Sequence, residues 1–195
     1  PYYATCLYGL IPEESDQLPT LVVDKHMRVL YNPKVLQDWG LETCAVAVLH
    51  EVLHLVLGHH ARAERLGVKP GEAMLWNVCG DLEVNSTLSS DGLRSHMKDN
   101  WMYPENFGFP PCLLAEEYWD LFKQQQGKQP QPSDGQGTGS GQCGSCSGGE
   151  PSAGEHGDCT EEHPGCSSIE VELAVRAFAR AVQEHATKEQ GTVPA

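Results

Sequence analysis

The chain has 195 residues, enough for one domain with a sizeable core and an appendage. Asp and Glu number 27 against 13 Lys and Arg, a formal net charge of −14, which argues against nucleic acid or an anionic membrane as a partner because phosphate binding needs clustered cations. No signal peptide or membrane-length apolar run is visible, so a cytoplasmic location is expected, and a start at Pro1 inside an apolar pattern leads us to expect further sequence upstream.

Residues 2 to 10, YYATCLYGL, predict a helix that packs aromatic and aliphatic side chains on the core, followed by the polar loop PEESDQ. The stretch LPTLVVDKHMRVLYNP predicts a hairpin: Thr20 to Val23, a turn at Asp24 to His26, then Met27 to Tyr31, closed by Asn32 and Pro33. The free edge of such a hairpin can accept an extended peptide as a further strand, and this hairpin is a candidate for such an edge. An ordinary structural hairpin is the equal alternative. A short helix near Lys34 to Trp39 then leads through Gly40 to the segment that matters most.

Ala45 to His60 reads AVAVLHEVLHLVLGHH, apolar on every side of a helical wheel apart from three ionisable groups. His50, Glu51 and His54 must then lie in or against a core, where an unpaired charge costs several kcal/mol. A divalent metal resolves the conflict. At 3.6 residues per turn His50 and His54 stand roughly 40° apart on one face, so both imidazoles can reach one ion. Glu51 projects beside them. This is the HExxH arrangement of zinc metallopeptidases, in which the glutamate is the general base rather than a ligand. The bland alternative is a core helix with two satisfied histidines. Beyond Gly58 the polar ARAERLGVKPGE is expected as a solvated helix tail and then a loop.

Residues 72 to 88, EAMLWNVCGDLEVNSTL, predict a second helix with Met74, Leu75, Val78, Leu82 and Val84 as its core stripe. Asn77, Asp81 and Asn85 recur every four residues on one face. A catalytic zinc takes three protein ligands plus water, and two histidines leave one ligand missing. Asp81 is our choice, with Asn85 one turn later as the group that hydrogen-bonds a ligand imidazole and fixes its tautomer. Two rivals stay open. Glu83 points roughly 160° away from that ridge. His60 has the spacing of the third histidine in HExxHxxGxxH, but the glycine stands at Gly58, one residue late for the bend. His59 and His60 otherwise read as cations at a helix end or as groups near the cleft that polarise a substrate carbonyl.

Residues 88 to 112 are loop-rich and suited to one cleft wall, with Tyr103 and His96 as candidate transition-state stabilisers set against plain packing or surface roles. An amphipathic helix is predicted at Leu113 to Gln124. Cys6, Cys44, Cys79 and Cys112 sit in apolar segments and read as reduced core thiols. From Gln125 to Ser167 the composition turns to Gly, Ser, Gln and Pro, too poor in apolar residues for a core. Within it Cys143, Cys146, Cys159 and Cys166, with His156 and His163 as substitutes, offer a second, structural zinc site. Residues 168 to 187 predict an amphipathic helix with Val171, Ala174, Val175, Phe178 and Val182 inward, docking back on the domain.

The succession YYATCLYGL, LVVDKHMRVLYNP, HEVLHLVLGHHAR, LWNVCGDLEVN, AEEYWDLF and GTVP resembles a bacterial metallopeptidase family whose zincin-like domain precedes a von Willebrand factor A-like domain. The resemblance covers residues 1 to about 125 in order and puts His50, Glu51, His54 and Asp81 on the motif positions, with Asn77 and Asn85 in the same segment. It implies peptide or protein as substrate, and either a regulatory partner protein or a C-terminal A-like domain beyond this sequence. The fold expected is α+β: a small zincin-like core, with a β-hairpin edge packed on the active-site helix and a second ligand-bearing helix. The domains expected are a peptidase domain at 1–125, a linker or insert at 126–167, and a C-terminal helix at 168–190 docking on the domain. The cofactor expected is one catalytic Zn2+, with a second structural ion at the cysteines. The function expected is peptide hydrolysis with Glu51 as general base. Its rival is a catalytically silent or latched zinc-binding interaction module.

Overall fold

The computed structural model describes residues 4–16, 18, 20–126 and 167–188. Among them are seven α-helices and a three-stranded mixed sheet, an α+β arrangement. Helix α1 (Ala4–Gly9) leads into β1 (Ile11–Glu14), and the hairpin follows as β2 (Leu21–Val23) and β3 (Arg28–Tyr31). The order is β1-β3-β2, with β1 parallel to β3 and β2 antiparallel to it, Val22 opposite Leu30. The turn is built by Asp24, whose carboxylate accepts from the backbone N–H of His26 and Arg28, while Met27 takes a left-handed φ of 63°. Asn32 then caps α2 (Pro33–Gln37) by accepting from the Lys34 N–H, with proline at the first helical position.

Helix α3 (Leu41–Val56) is the centre of the molecule. Its Ala47 and Leu55 join Leu21, Val23, Met27 and Val29 of the hairpin, and its Val46 and Leu53 meet Val84, Leu88, Met97 and Tyr103. Val52 packs with Cys6 and with Phe178 of α7 (Ser168–Lys188). A helix touched by three layers needs apolar residues on all sides, which explains the composition of its second half. Solvent reaches the N-terminal end, where Leu41 is 81% exposed and Glu42 and Ala45 are exposed too.

The chain after α3 differs from the expected solvated tail. Gly58 adopts φ 67° and ψ 35°, left-handed values that glycine takes at no steric cost, and a separate helix α4 (His59–Leu66) starts there, bent 42° from α3. Helix α5 (Ala73–Ser90) then runs between α3 and α6 (Ala115–Gln126), its Trp76, Cys79 and Leu82 packing on Ala63, Phe109, Ala115 and Tyr118. The expected core stripe of α5 is corrected at Met74, which is 52% exposed because Trp76 and Cys79 take the inward positions. Cys112 is likewise exposed rather than a core thiol. On α7, Val171, Ala174 and Val175 are half-buried and Phe178 is buried. No single helix among the described residues is long and apolar enough to cross a membrane.

Candidate metal centre

Helices α3 and α5 together carry the three donors. His50 and His54, one turn apart, direct Nε2 to a common point 2.9 Å from each other. Asp81 Oδ1 faces them from α5 at 3.3 Å from His50 Nε2 and 3.2 Å from His54 Nε2. Around a tetrahedral zinc with bonds near 2.0 to 2.1 Å, donors stand roughly 3.3 Å apart, so the triangle has the size that such an ion requires. Among the described residues this is the group of His, Cys, Asp or Glu side chains whose ligand atoms converge, all within 4.8 Å of one another.

The hydrogen bonds behind the imidazoles decide which nitrogens are available. Asn85 Nδ2 donates to the Met102 carbonyl at 2.8 Å, which turns Oδ1 toward His50 Nδ1 at 2.9 Å. An acceptor there puts the proton of His50 on Nδ1 and leaves Nε2 as a lone pair. On the other side His54 Nδ1 lies 2.7 Å from His59 Nδ1, and His59 Nε2 lies 3.1 Å from Glu83 Oε2. Because Glu83 accepts from His59 Nε2–H, His59 Nδ1 accepts in turn from His54, and His54 Nε2 is also a lone pair. Two lone pairs and a carboxylate oxygen aimed at one point repel each other unless a cation stands among them, and the donor set therefore fits a divalent metal.

Electrostatics agree. Burial, with the neighbouring imidazoles of His50 and His59, lowers His54 to about 3 against the pull of Asp81, so the ring stays neutral. Burial also disfavours charge on His50, but Asp81, Glu51 and Asn85 outweigh it and raise its pKa. Asp81 resists its own burial through the same two imidazoles and is held at about 2. The buried carboxylate thus draws positive charge to His50 Nε2, and a metal can supply it in exchange for a proton.

Glu51 stands beside His50 and faces the hairpin, where Oε2 accepts from the Val23 N–H at 3.0 Å. Burial pushes its carboxyl up to about 8, opposed by His50 and by that hydrogen bond. In the antiparallel pairing, Asp24 and Val22 face β3, so the Val23 N–H points off the opposite edge. The candidate edge therefore lies beside α3, with its Val23 N–H already engaged by Glu51. Leu21, Val22 and Val23 are all buried, because one face of the LVV strand packs Leu21 and Val23 on α3 while Val22 packs on Leu18 and Leu30. The centre is nearly closed: exposure is 7% at His50, 3% at Glu51, 1% at Asp81 and 0% at His54, and the Trp101 ring lies 5.4 Å from His50.

The remaining candidates lie elsewhere. Glu83 points away from the triangle to His59, Arg62 and the Ala115 N–H. His60 is buried with no partner at either ring nitrogen, and Asn77, one turn before Asp81, has its Oδ1 buried without a hydrogen bond. Tyr103 spends its hydroxyl on the Lys98 carbonyl within the core, and His96 is exposed. Cys143, Cys146, Cys159 and Cys166, with His156 and His163, lie outside the described residues. Sequence reasoning missed the His59–Glu83 pair, of which a glycine directly before two histidines was a visible signal.

No curated protein and no solved structure matches the chain. A sequence-family model described as "Putative metallopeptidase domain" matches residues 1–195, and the chain belongs to that family.

Proposed function

We propose that this protein is a zinc-dependent metallopeptidase in which His50, His54 and Asp81 hold the ion and Glu51 is the general base. The observation that carries the reading is the convergence of the ligand atoms of His50, His54 and Asp81, with a pinned carboxyl group beside them. A zinc ion held there supplies Lewis-acid polarisation of the scissile carbonyl and lowers the pKa of water at the site. Glu51, whose burial-raised carboxyl is ionised when a cation at the triangle offsets that burial, takes the proton of the attacking water as the water oxygen bonds to the carbonyl carbon, then delivers that proton to the amide nitrogen as the C–N bond breaks. The Val23 N–H holds Oε2 and so fixes the plane of the carboxylate. Asn85 and His59 keep the two imidazoles in the tautomer that presents Nε2.

The burial of all four side chains favours a second reading, a latched zinc module opened by a partner. Glu51→Gln separates the two. The enzyme reading expects metal content and melting behaviour to persist while hydrolysis of a peptide library is lost. Wild-type protein that carries zinc at this site and cleaves no member of the library overturns the enzyme reading in favour of the latch.

A further inference from the structure

A ligand imidazole in a metal site is ordinarily oriented by a carboxylate, a backbone carbonyl or water on its other nitrogen. His54 instead meets a second imidazole. In a continuous helix His59 would stand roughly 140° around the axis from His54, out of reach. The break at Gly58 swings it back, so that the two Nδ1 atoms lie 2.7 Å apart. His59 is itself fully buried and held at three points: its Nε2 on Glu83 Oε2, its carbonyl accepting from Trp76 Nε1–H at 3.2 Å, and its ring against α5. Glu83 is fixed in turn by the Ala115 N–H at 2.7 Å and by both terminal nitrogens of Arg62, which also pairs with Glu116.

The point where α5 meets this pair is Gly80. A Cβ there would lie 3.1 Å from His59 Nδ1 and 3.3 Å from His54 Cε1, closer than ordinary contact. Glycine in the interior of an 18-residue helix costs about 1 kcal/mol relative to alanine, so its presence calls for a local reason. Room for two imidazoles meeting edge to face, their planes 64° apart, is that reason.

We infer that His59, backed by Glu83 and accommodated by Gly80, is a positioning residue: it accepts the His54 Nδ1 proton and thereby holds His54 Nε2 ready for the metal. Neither His59 nor Glu83 touches the ion. The assignment rests on the metal site proposed above, and the experiment keeps the two apart.

The dissociation constant for Zn2+ alone is measured by chelator competition on the full chain for wild type, His59→Leu, His59→Gln and Gly80→Ala, with far-ultraviolet dichroism as a check on folding. A His50→Ala/Asp81→Ala protein measured alongside them that binds zinc with the affinity and stoichiometry of wild type overturns the metal site itself, whatever His59 does. Given that site, His59→Leu is expected to weaken zinc roughly 10- to 100-fold. His59→Gln restores most of the loss, since its amide offers an acceptor and a donor with the spacing of the two ring nitrogens. Gly80→Ala changes no donor and favours the helix, yet is expected to weaken zinc by crowding the pair. Zinc affinity unchanged in His59→Leu, or unchanged in a folded Gly80→Ala protein, overturns the inference. So does a glutamine variant that binds as poorly as the leucine one, because then His59 serves only packing.

Discussion

His60 is 8% exposed and neither of its ring nitrogens has a hydrogen-bond partner, which makes it a costly residue with a measurable signature. Burial, with His59, Lys25 and His26 nearby and Asp24 pulling the other way, lowers its pKa from the ordinary 6.5 to about 4. In the unfolded chain the imidazole binds a proton below about pH 6.5. In the folded chain it does so only below about 4. As pH falls through that window the unfolded state gains protons that the folded state refuses, so stability drops. At pH 5 the loss from this one group is about 2 kcal/mol relative to pH 7.5, reaching roughly 3 kcal/mol by pH 4. His60→Leu removes the titration and relieves a buried polar group that costs about 1 to 3 kcal/mol. At about 2 to 4 °C per kcal/mol for a chain of this size, the variant melts several degrees higher at pH 7.5. Its advantage over wild type widens by a further 4 to 8 °C or so at pH 5. Thermal melts of the two proteins at both pH values read this directly. The reasoning fails if the curves shift in parallel between the two pH values, or if the leucine variant melts lower at pH 7.5.

Two further outcomes follow from burial. Cys112 is exposed and its thiol is pulled below the ordinary range by Ser90 and Ser86, whereas burial pushes Cys6 up to about 11 and Cys79 up to about 12 and also raises Cys44. Limited alkylation at pH 8, read by peptide mapping, is therefore expected to mark Cys112 first among these four, and prior labelling of Cys6 or Cys79 contradicts the packing described. Trp101 covers the His50 side of the centre, the side where the site retains some exposure. Trp101→Ala is expected to speed zinc loss to a chelator while equilibrium affinity stays within a few-fold, and an unchanged release rate would mean the ion leaves by another route.

What could be read in the residues was what depends on short-range periodicity. His50 and His54 are one helical turn apart, and Asp81 and Asn85 repeat that interval on α5, so each pair shares a face whatever the rest of the chain does. Facing the two pairs toward each other is a tertiary matter, yet a buried helix with ionisable residues on one side demands a polar counterpart, and α5 carries the asparagine and aspartate ridge. The hairpin was also legible, because β-branched runs around an Asp-Lys-His turn are local signals. Which element each face of it would pack on was not, since Leu21 to Val23 is apolar on both faces and the pattern leaves the partner of each face unspecified. The relation of His59 to His54 was hidden for a different reason. It exists only because Gly58 takes a left-handed conformation and interrupts the periodicity on which the reading relied. Gly80 carried a trace of the same fact: a glycine in the middle of a long helix marks close approach by a neighbour.

The central claim is that one divalent ion is shared by His50, His54 and Asp81. Anomalous diffraction at the zinc edge from crystals of the zinc-loaded protein tests it most directly. The account calls for a peak about 2.0 to 2.2 Å from His50 Nε2, His54 Nε2 and Asp81 Oδ1 together. A zinc peak elsewhere, with these three atoms bonded only to protein or water, would contradict it.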